Sequence, residues 1–174
     1  NVASKLVVGD QLKQKTEVGP LINNDEVNRV EEWVNDAVAK GAKILTGGKR
    51  IGASCFEPTV ILNPSEDAII SQKEIFGPVV CIYSYKTLDE AIARANSLEV
   101  SFQAAVFTKN IDTALKAVKR LNATAVMVND HTAFRVDWMP FGGARISGLG
   151  MGGIPYSMEE MSNEKMMVIK SPVL

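Results

Sequence analysis

Apolar residues first recur at helical spacing over residues 24–40. Val27, Val30, Val34, Ala37 and Val38 fall three and four apart on one face. Asn24 or Asp25 can cap the start and Gly41 can take the left-handed stop. Residues 42–46 read as a short strand ended by Gly47-Gly48. Residues 56–62 form a second extended run, and Pro58 within it predicts a sheet edge or a strand start. Val79-Val80-Cys81-Ile82-Tyr83 is apolar throughout, the pattern of a strand buried on both faces. Thr87-Leu88-Asp89-Glu90 has the spacing of a capping box and opens a helix with Leu88, Ala91, Ile92 and Ala95 on one face. Residues 103–107 are strand-like. Asn110 can cap a helix whose apolar face is Ile111, Ala114, Leu115, Val118 and Leu121, and residues 125–128 are again a strand.

Residues 79–128 thus alternate strand, helix, strand, helix, strand, the pattern of parallel pairing with right-handed crossovers. The expected fold class is α/β, a largely parallel sheet with helices on both faces. The regularity stops after Val128. Residues 129–155 are a long glycine-rich loop, and loops of that length are usually functional. A short helix is predicted at 156–161 and a last strand at 165–169. The chain has no internal repeat, low-complexity tract or linker, so 1–174 reads as a single domain. In open parallel sheets ligands bind at the carboxyl ends of strands, and the loop after Val128 leaves from such an end.

Composition narrows the function classes. The 174 residues are 46% apolar and 22% charged, as in soluble globular proteins, and 19 basic against 20 acidic residues leave a net charge of -1. No global field draws the chain to nucleic acid or to an anionic membrane. No apolar run approaches the ~18 residues of a membrane helix. Two cysteines are too few for a disulfide framework or a zinc ribbon, and reduced cytoplasmic thiols fit best. The chain opens on Asn1 without a basic and apolar leader, and it reads as the continuation of a longer sequence.

The candidate chemistry is uneven. Gly148-Leu149-Gly150-Met151-Gly152-Gly153 matches a dinucleotide fingerprint in letters, but Pro155 follows at once, and the expected reading is a compact loop needing positive φ. Cys55 has no base or helix N-terminus beside it in sequence, so it reads as an inert loop thiol, and Cys81 reads as core. His131, the only histidine, has no partner spacing for metal. At the start of the long loop it can line a pocket or serve the loop's structure. In Lys73-Glu74-Ile75-Phe76-Gly77-Pro78-Val79, Glu74 can accept from a pair of vicinal hydroxyls and Phe76 can pack on a flat ring. Taken alone, the stretch equally describes a capped turn with one core aromatic.

Several segments occur in one order: Val18-Gly19-Pro20-Leu21-Ile22, Phe56-Glu57-Pro58-Thr59-Val60, Glu74-Ile75-Phe76-Gly77-Pro78-Val79, Ala105-Val106-Phe107-Thr108, Val128-Asn129-Asp130, Pro140-Phe141-Gly142-Gly143 and Ser147-Gly148-Leu149-Gly150. Together they resemble the C-terminal part of the catalytic domain in the NAD(P)-dependent aldehyde dehydrogenase superfamily. The resemblance implies an enzyme that oxidises an aldehyde to a carboxylic acid with NAD or NADP. A cysteine thiolate attacks the aldehyde, hydride passes to nicotinamide, and a glutamate activates water. It also implies that the nucleophile's Phe-x-x-x-Gly-Gln-x-Cys motif lies upstream. Neither Cys55 nor Cys81 stands in that motif, so the isolated chain is expected to carry no catalytic residue, to be inactive and to bind no cofactor.

By the same resemblance, Glu74 holds the nicotinamide-ribose hydroxyls and Phe76 packs near the nicotinamide. His131, Phe134, Arg135 and Phe141 line the substrate side. The stretch around Arg135 resembles members acting on small, anionic or hydroxylated aldehydes. An arginine fork can grip a carboxylate or phosphate, the alternative being an Arg135–Asp137 surface pair. Residues 164–174 resemble a C-terminal strand that supports homo-oligomer assembly by strand addition. A second reading of the chain is a non-catalytic folding or assembly module derived from the same family.

Overall fold

The computed structural model describes residues 2–172. The chain divides between Ser84 and Tyr85 into two compact units.

In the first unit, α1 (Asn24–Ala39) is capped by Asn23, one residue before the first of the two expected caps. Asn23 is extended, and its Oδ1 accepts from the Glu26 amide at 2.9 Å, while Asn24 is already helical. Gly41 takes the left-handed stop with φ 91°. Val27, Val30, Val34 and Ala37 are buried as the spacing predicts, and Val38 lies exposed at the edge of the stripe.

The strands of this unit are β1 (Lys43–Thr46), β2 (Arg50–Ile51), β3 (Cys55–Phe56), β4 (Thr59–Leu62) and β5 (Val79–Ile82), with the short helix α2 (Ile69–Gln72) between the last two. The main sheet runs β1-β4-β5, with β1 antiparallel and β5 parallel to the central β4. Pro58 therefore marks a strand start and not a sheet edge. Strands β2 and β3 form a separate antiparallel pair, so Cys55 is in a strand and not a loop. The core gathers the α1 face with Ala42, Phe56, Ile61, Ala68 and Ile70, and Ile75, Val79 and Cys81 pack against it.

β5 corrects an expectation. It alternates, with Val79 and Cys81 partly buried and Val80 and Ile82 exposed. An all-apolar run reports what a strand tolerates, whereas burial needs a covering layer, and in this unit α1 packs on one face only.

The second unit holds α3 (Leu88–Ala95), β6 (Val100–Ser101), β7 (Gln103–Val106), α4 (Ile111–Arg120), β8 (Ala125–Val128), β9 (Ala144–Arg145) and α5 (Ile154–Glu160). β7 and β8 pair in parallel with α4 between them, and β6 pairs antiparallel with β9. The longest pairings after β1 are thus parallel, but antiparallel pairs stand beside them. The α/β class holds, while the sheets are mixed and not largely parallel. Thr87 and Asn110 cap as expected. Glu90 reaches back one residue further than a capping box requires, to the Lys86 amide at 2.9 Å.

Two more expectations fail here. On α4 the residues buried are Ala114 and Ala117, while Ile111, Leu115 and Val118 are exposed. The helix packs through its small side chains, and Lys116 and Arg120 reach Asp89 of α3. Residues 165–169 form no strand, and Met166, Met167, Val168 and Ile169 are exposed. A strand needs a ladder partner, and this segment finds none among the described residues. Residues 173 and 174 of the expected assembly segment lie outside the described residues.

Three aspartates tie elements together. Asp36 of α1 accepts from the Ile69 amide at 2.9 Å, capping α2 from another helix, and it pairs with Lys40. The Ile69 hydrogen bond first, and then Lys40, hold its carboxyl below the ordinary value of 3.8. Asp67 is lowered chiefly by the Ser65 hydroxyl, and Asp89 by Lys116 and then Arg120. A carboxyl whose folded value is depressed stabilises the fold above its unfolded value, and that contribution is lost as pH falls through the folded one. Urea midpoints are expected to fall below about pH 4. Asp36→Asn should flatten that acid limb while lowering stability near neutrality, and an unchanged limb would dismiss the role of Asp36.

Candidate functional site

The candidate residues fall into one group in each unit. In the first unit, Glu74 and Phe76 stand in the turn between α2 and β5. Ile75 between them packs against the core. Glu74 and Phe76, on either side of it, are exposed. Phe76 is 73% exposed, so it is not the core aromatic of the simpler reading. It holds a positive φ of 43°, which an aromatic residue adopts only where its surroundings enforce it. The Glu74 carboxylate makes no hydrogen bond or ion pair among the described residues. The turn therefore offers a free acceptor pair and a free aromatic face two positions apart. These groups suit two vicinal hydroxyls and a flat ring, so the residues present fit a nicotinamide nucleoside.

In the second unit, the loop leaves from the carboxyl ends of β7 and β8. The Asn129 amide donates to Val106 O at 2.8 Å, and its side chain accepts from the Thr108 amide at 2.8 Å. The loop is ordered by its own contacts. Phe141 and Gly152 exchange two backbone hydrogen bonds, and Ile154 N donates to Asp137 O at 3.0 Å. Gly150 and Gly153 carry positive φ, so the glycine-rich stretch is a compact loop as expected.

Within this loop the structure brings Arg135 onto Phe141, the guanidinium carbon 4.0 Å from the ring centroid. Phe102 meets the same ring edge-on at 5.1 Å. A guanidinium held over a ring face still has N–H groups to offer a second partner. Arg135 makes no ion pair among the described residues, so the alternative pair with Asp137 is not formed. His131 is largely exposed and its Nδ1 accepts from the Ala133 amide at 3.1 Å, a contact that shapes the turn. Phe134 is half-exposed nearby in sequence. Among the described residues no group of three or more His, Cys, Asp or Glu could hold a metal ion.

Burial pushes the Cys81 thiol up, partly offset by a hydrogen bond with Tyr83. Cys55 lies in β3, half-buried. Sequence reading missed Phe102, which joins Phe141 only through the fold, and it missed the contacts that α1 makes to the Glu74–Phe76 turn. No helix of the described residues is long and apolar enough to cross a membrane.

Comparison with known proteins finds one family. The aldehyde dehydrogenase family model matches residues 1–167. The 3-sulfolactaldehyde dehydrogenase of Priestia aryabhattai is 43% identical, over 95% of this chain and 34% of its own. A lactaldehyde dehydrogenase of Methanococcus maripaludis is 41% identical, over 95% and 35%. Among solved structures, glyceraldehyde-3-phosphate dehydrogenase GapN of Methanocaldococcus jannaschii, complexed with NADP, superposes with TM-score 0.87 at 44% identity. That superposition covers 94% of this chain and 35% of the other. The chain spans about a third of the length of the relatives it matches.

Proposed function

The chain belongs to the aldehyde dehydrogenase family, and on that premise we propose that it is the C-terminal part of an enzyme's catalytic domain. The whole enzyme would oxidise an aldehyde to a carboxylic acid with NAD or NADP. The observation that carries the reading is the Glu74–Phe76 turn, with its free carboxylate and exposed ring held on either side of a core-anchored Ile75.

In this reading Glu74 accepts from the ribose hydroxyls and Phe76 fixes the plane of the nicotinamide. The cofactor supplies hydride acceptance when bound. Phe141 forms an apolar wall of the aldehyde passage, with Phe134 and His131 at its side, and Arg135 takes an anionic tail of the substrate. Two of the relatives support the last role by name, since sulfolactaldehyde carries a sulfonate and glyceraldehyde-3-phosphate a phosphate. Residues 164–174 would join a second copy by strand addition, which accounts for an apolar segment left bare in a single chain. The two free cysteines fit a cytoplasmic setting.

The thiolate and the general base belong to the upstream part, so the 174-residue chain alone is expected to bind no cofactor and to form no NADH or NADPH from any aldehyde. Aldehyde-dependent NADH formation by the pure chain would overturn this. The reading frame upstream of Asn1 is expected to encode Phe-x-x-x-Gly-Gln-x-Cys. A start codon immediately before Asn1 would instead favour the non-catalytic module.

A further inference from the structure

Arg29 makes more contacts than its place on a helix surface requires. Its Nε and one terminal nitrogen donate to the same Glu26 oxygen, at 2.8 and 2.6 Å. That same terminal nitrogen donates at 2.6 Å to the carbonyl of Ile75, 46 residues away. The guanidinium also stacks over Trp33, 4.5 Å from a ring centroid. Glu26 and Trp33 flank Arg29 by three and four positions, one helical turn on either side. One neighbour fixes the charge and the other lies against the guanidinium, and the second N–H of that terminal nitrogen is left aimed at Ile75.

The carbonyl so held belongs to the residue between Glu74 and Phe76. Next along α1, Val30 packs on Gly77 so closely that a Cβ there would lie 2.8 Å from the Val30 Cγ2. Two successive residues of α1 thus hold the turn, one by a charged hydrogen bond and one by contact with a glycine. The Ile75 side chain fills the core below. Such fixing is what a residue with the positive φ of Phe76 needs. Nothing else among the described residues donates to the Ile75 carbonyl.

We propose that Arg29, oriented by Glu26 and Trp33, is a positioning residue for dinucleotide binding: it sets the direction of Glu74 and Phe76 by holding the peptide between them. This rests on the reading of Glu74 as a cofactor contact. Arg29 touches neither cofactor nor substrate. A well-supported first contact loses much of its value when its backbone is free to move by an ångström.

The test uses the full-length enzyme that contains this chain, with NAD and NADP as the probes. Arg29→Ala is expected to raise the dinucleotide KM about tenfold, while the aldehyde KM stays within about twofold. Glu74→Ala should raise the dinucleotide KM as well, and adding Arg29→Ala to it should have little further effect, because the two act through one contact. Arg29→Lys keeps the charge without the fork and should lie between the wild type and Arg29→Ala. It also serves if Arg29→Ala fails to fold. If Glu74→Ala weakens the dinucleotide and neither Arg29 variant does, the positioning role is wrong and the reading of Glu74 stands. Independent, multiplying effects of Arg29 and Glu74 would equally overturn it. If Glu74→Ala leaves the dinucleotide KM unchanged, the reading of Glu74 fails and the proposal falls with it.

Discussion

Phe56→Ala lowers the stability of the first unit by about 3–5 kcal/mol. Phe56 is 1% exposed and sits in the core with Val27, Val30, Val34 and Ile61. Truncation removes a ring from water-free packing and leaves a cavity that β3, a two-residue strand, is poorly able to close. Small domains hold only about 5–15 kcal/mol in total, so the loss is a large share. The comparison that gives it meaning is Val80→Ala on β5, where the side chain is already 60% exposed and the cost should stay near 0.5 kcal/mol. Each unit contains one tryptophan, Trp33 in the first and Trp138 in the second. Urea unfolding followed by fluorescence in a Trp138→Phe background therefore reads the first unit. Equal costs for Phe56→Ala and Val80→Ala would reject the core as described.

If Arg135 takes an anionic tail as proposed, Arg135→Ala in the full-length enzyme should raise KM for an anionic aldehyde, with sulfolactaldehyde or glyceraldehyde-3-phosphate as probes, by about 10–100-fold, the size of a lost charge-assisted hydrogen bond. For lactaldehyde, which has no anionic tail, the rise should stay near twofold. The guanidinium carbon sits over the Phe141 ring, so the ring places the charge, and no ion pair among the described residues occupies it. Arg135→Lys should recover only part of the preference, because an ammonium keeps the charge and loses the stack. A KM that rises equally for charged and neutral aldehydes would mean that Arg135 supports the loop and reads no anion.

These two residues also mark what the sequence makes legible. The α1 stripe is readable because Val27, Val30, Val34 and Ala37 share a face that the same chain covers. The caps at Asn110 and Thr87 are readable because each acts on an amide only three residues on. Phe56 and Val80 look alike in sequence, both apolar and both in short strands, and only the covering layer separates them. On α4 the spacing picks out Ile111, Ala114, Leu115, Val118 and Leu121, yet of these only Ala114 is buried, beside Ala117, since periodicity says which residues could be covered and not what covers them. Glu74 and Phe76 carry their own signal within five residues. The hydrogen bond from Arg29 to Ile75 spans 46 residues and ends on a backbone oxygen, which no residue type announces.

The bare segment Met166–Ile169 has one more consequence. Four consecutive exposed apolar residues with freedom to extend are a nucleus for sticking between molecules. Lys165 and Lys170 stand directly at its two ends. Stacking copies in register would bring those ammonium groups into rows of like charge a strand spacing apart, so the lysines act as gatekeepers.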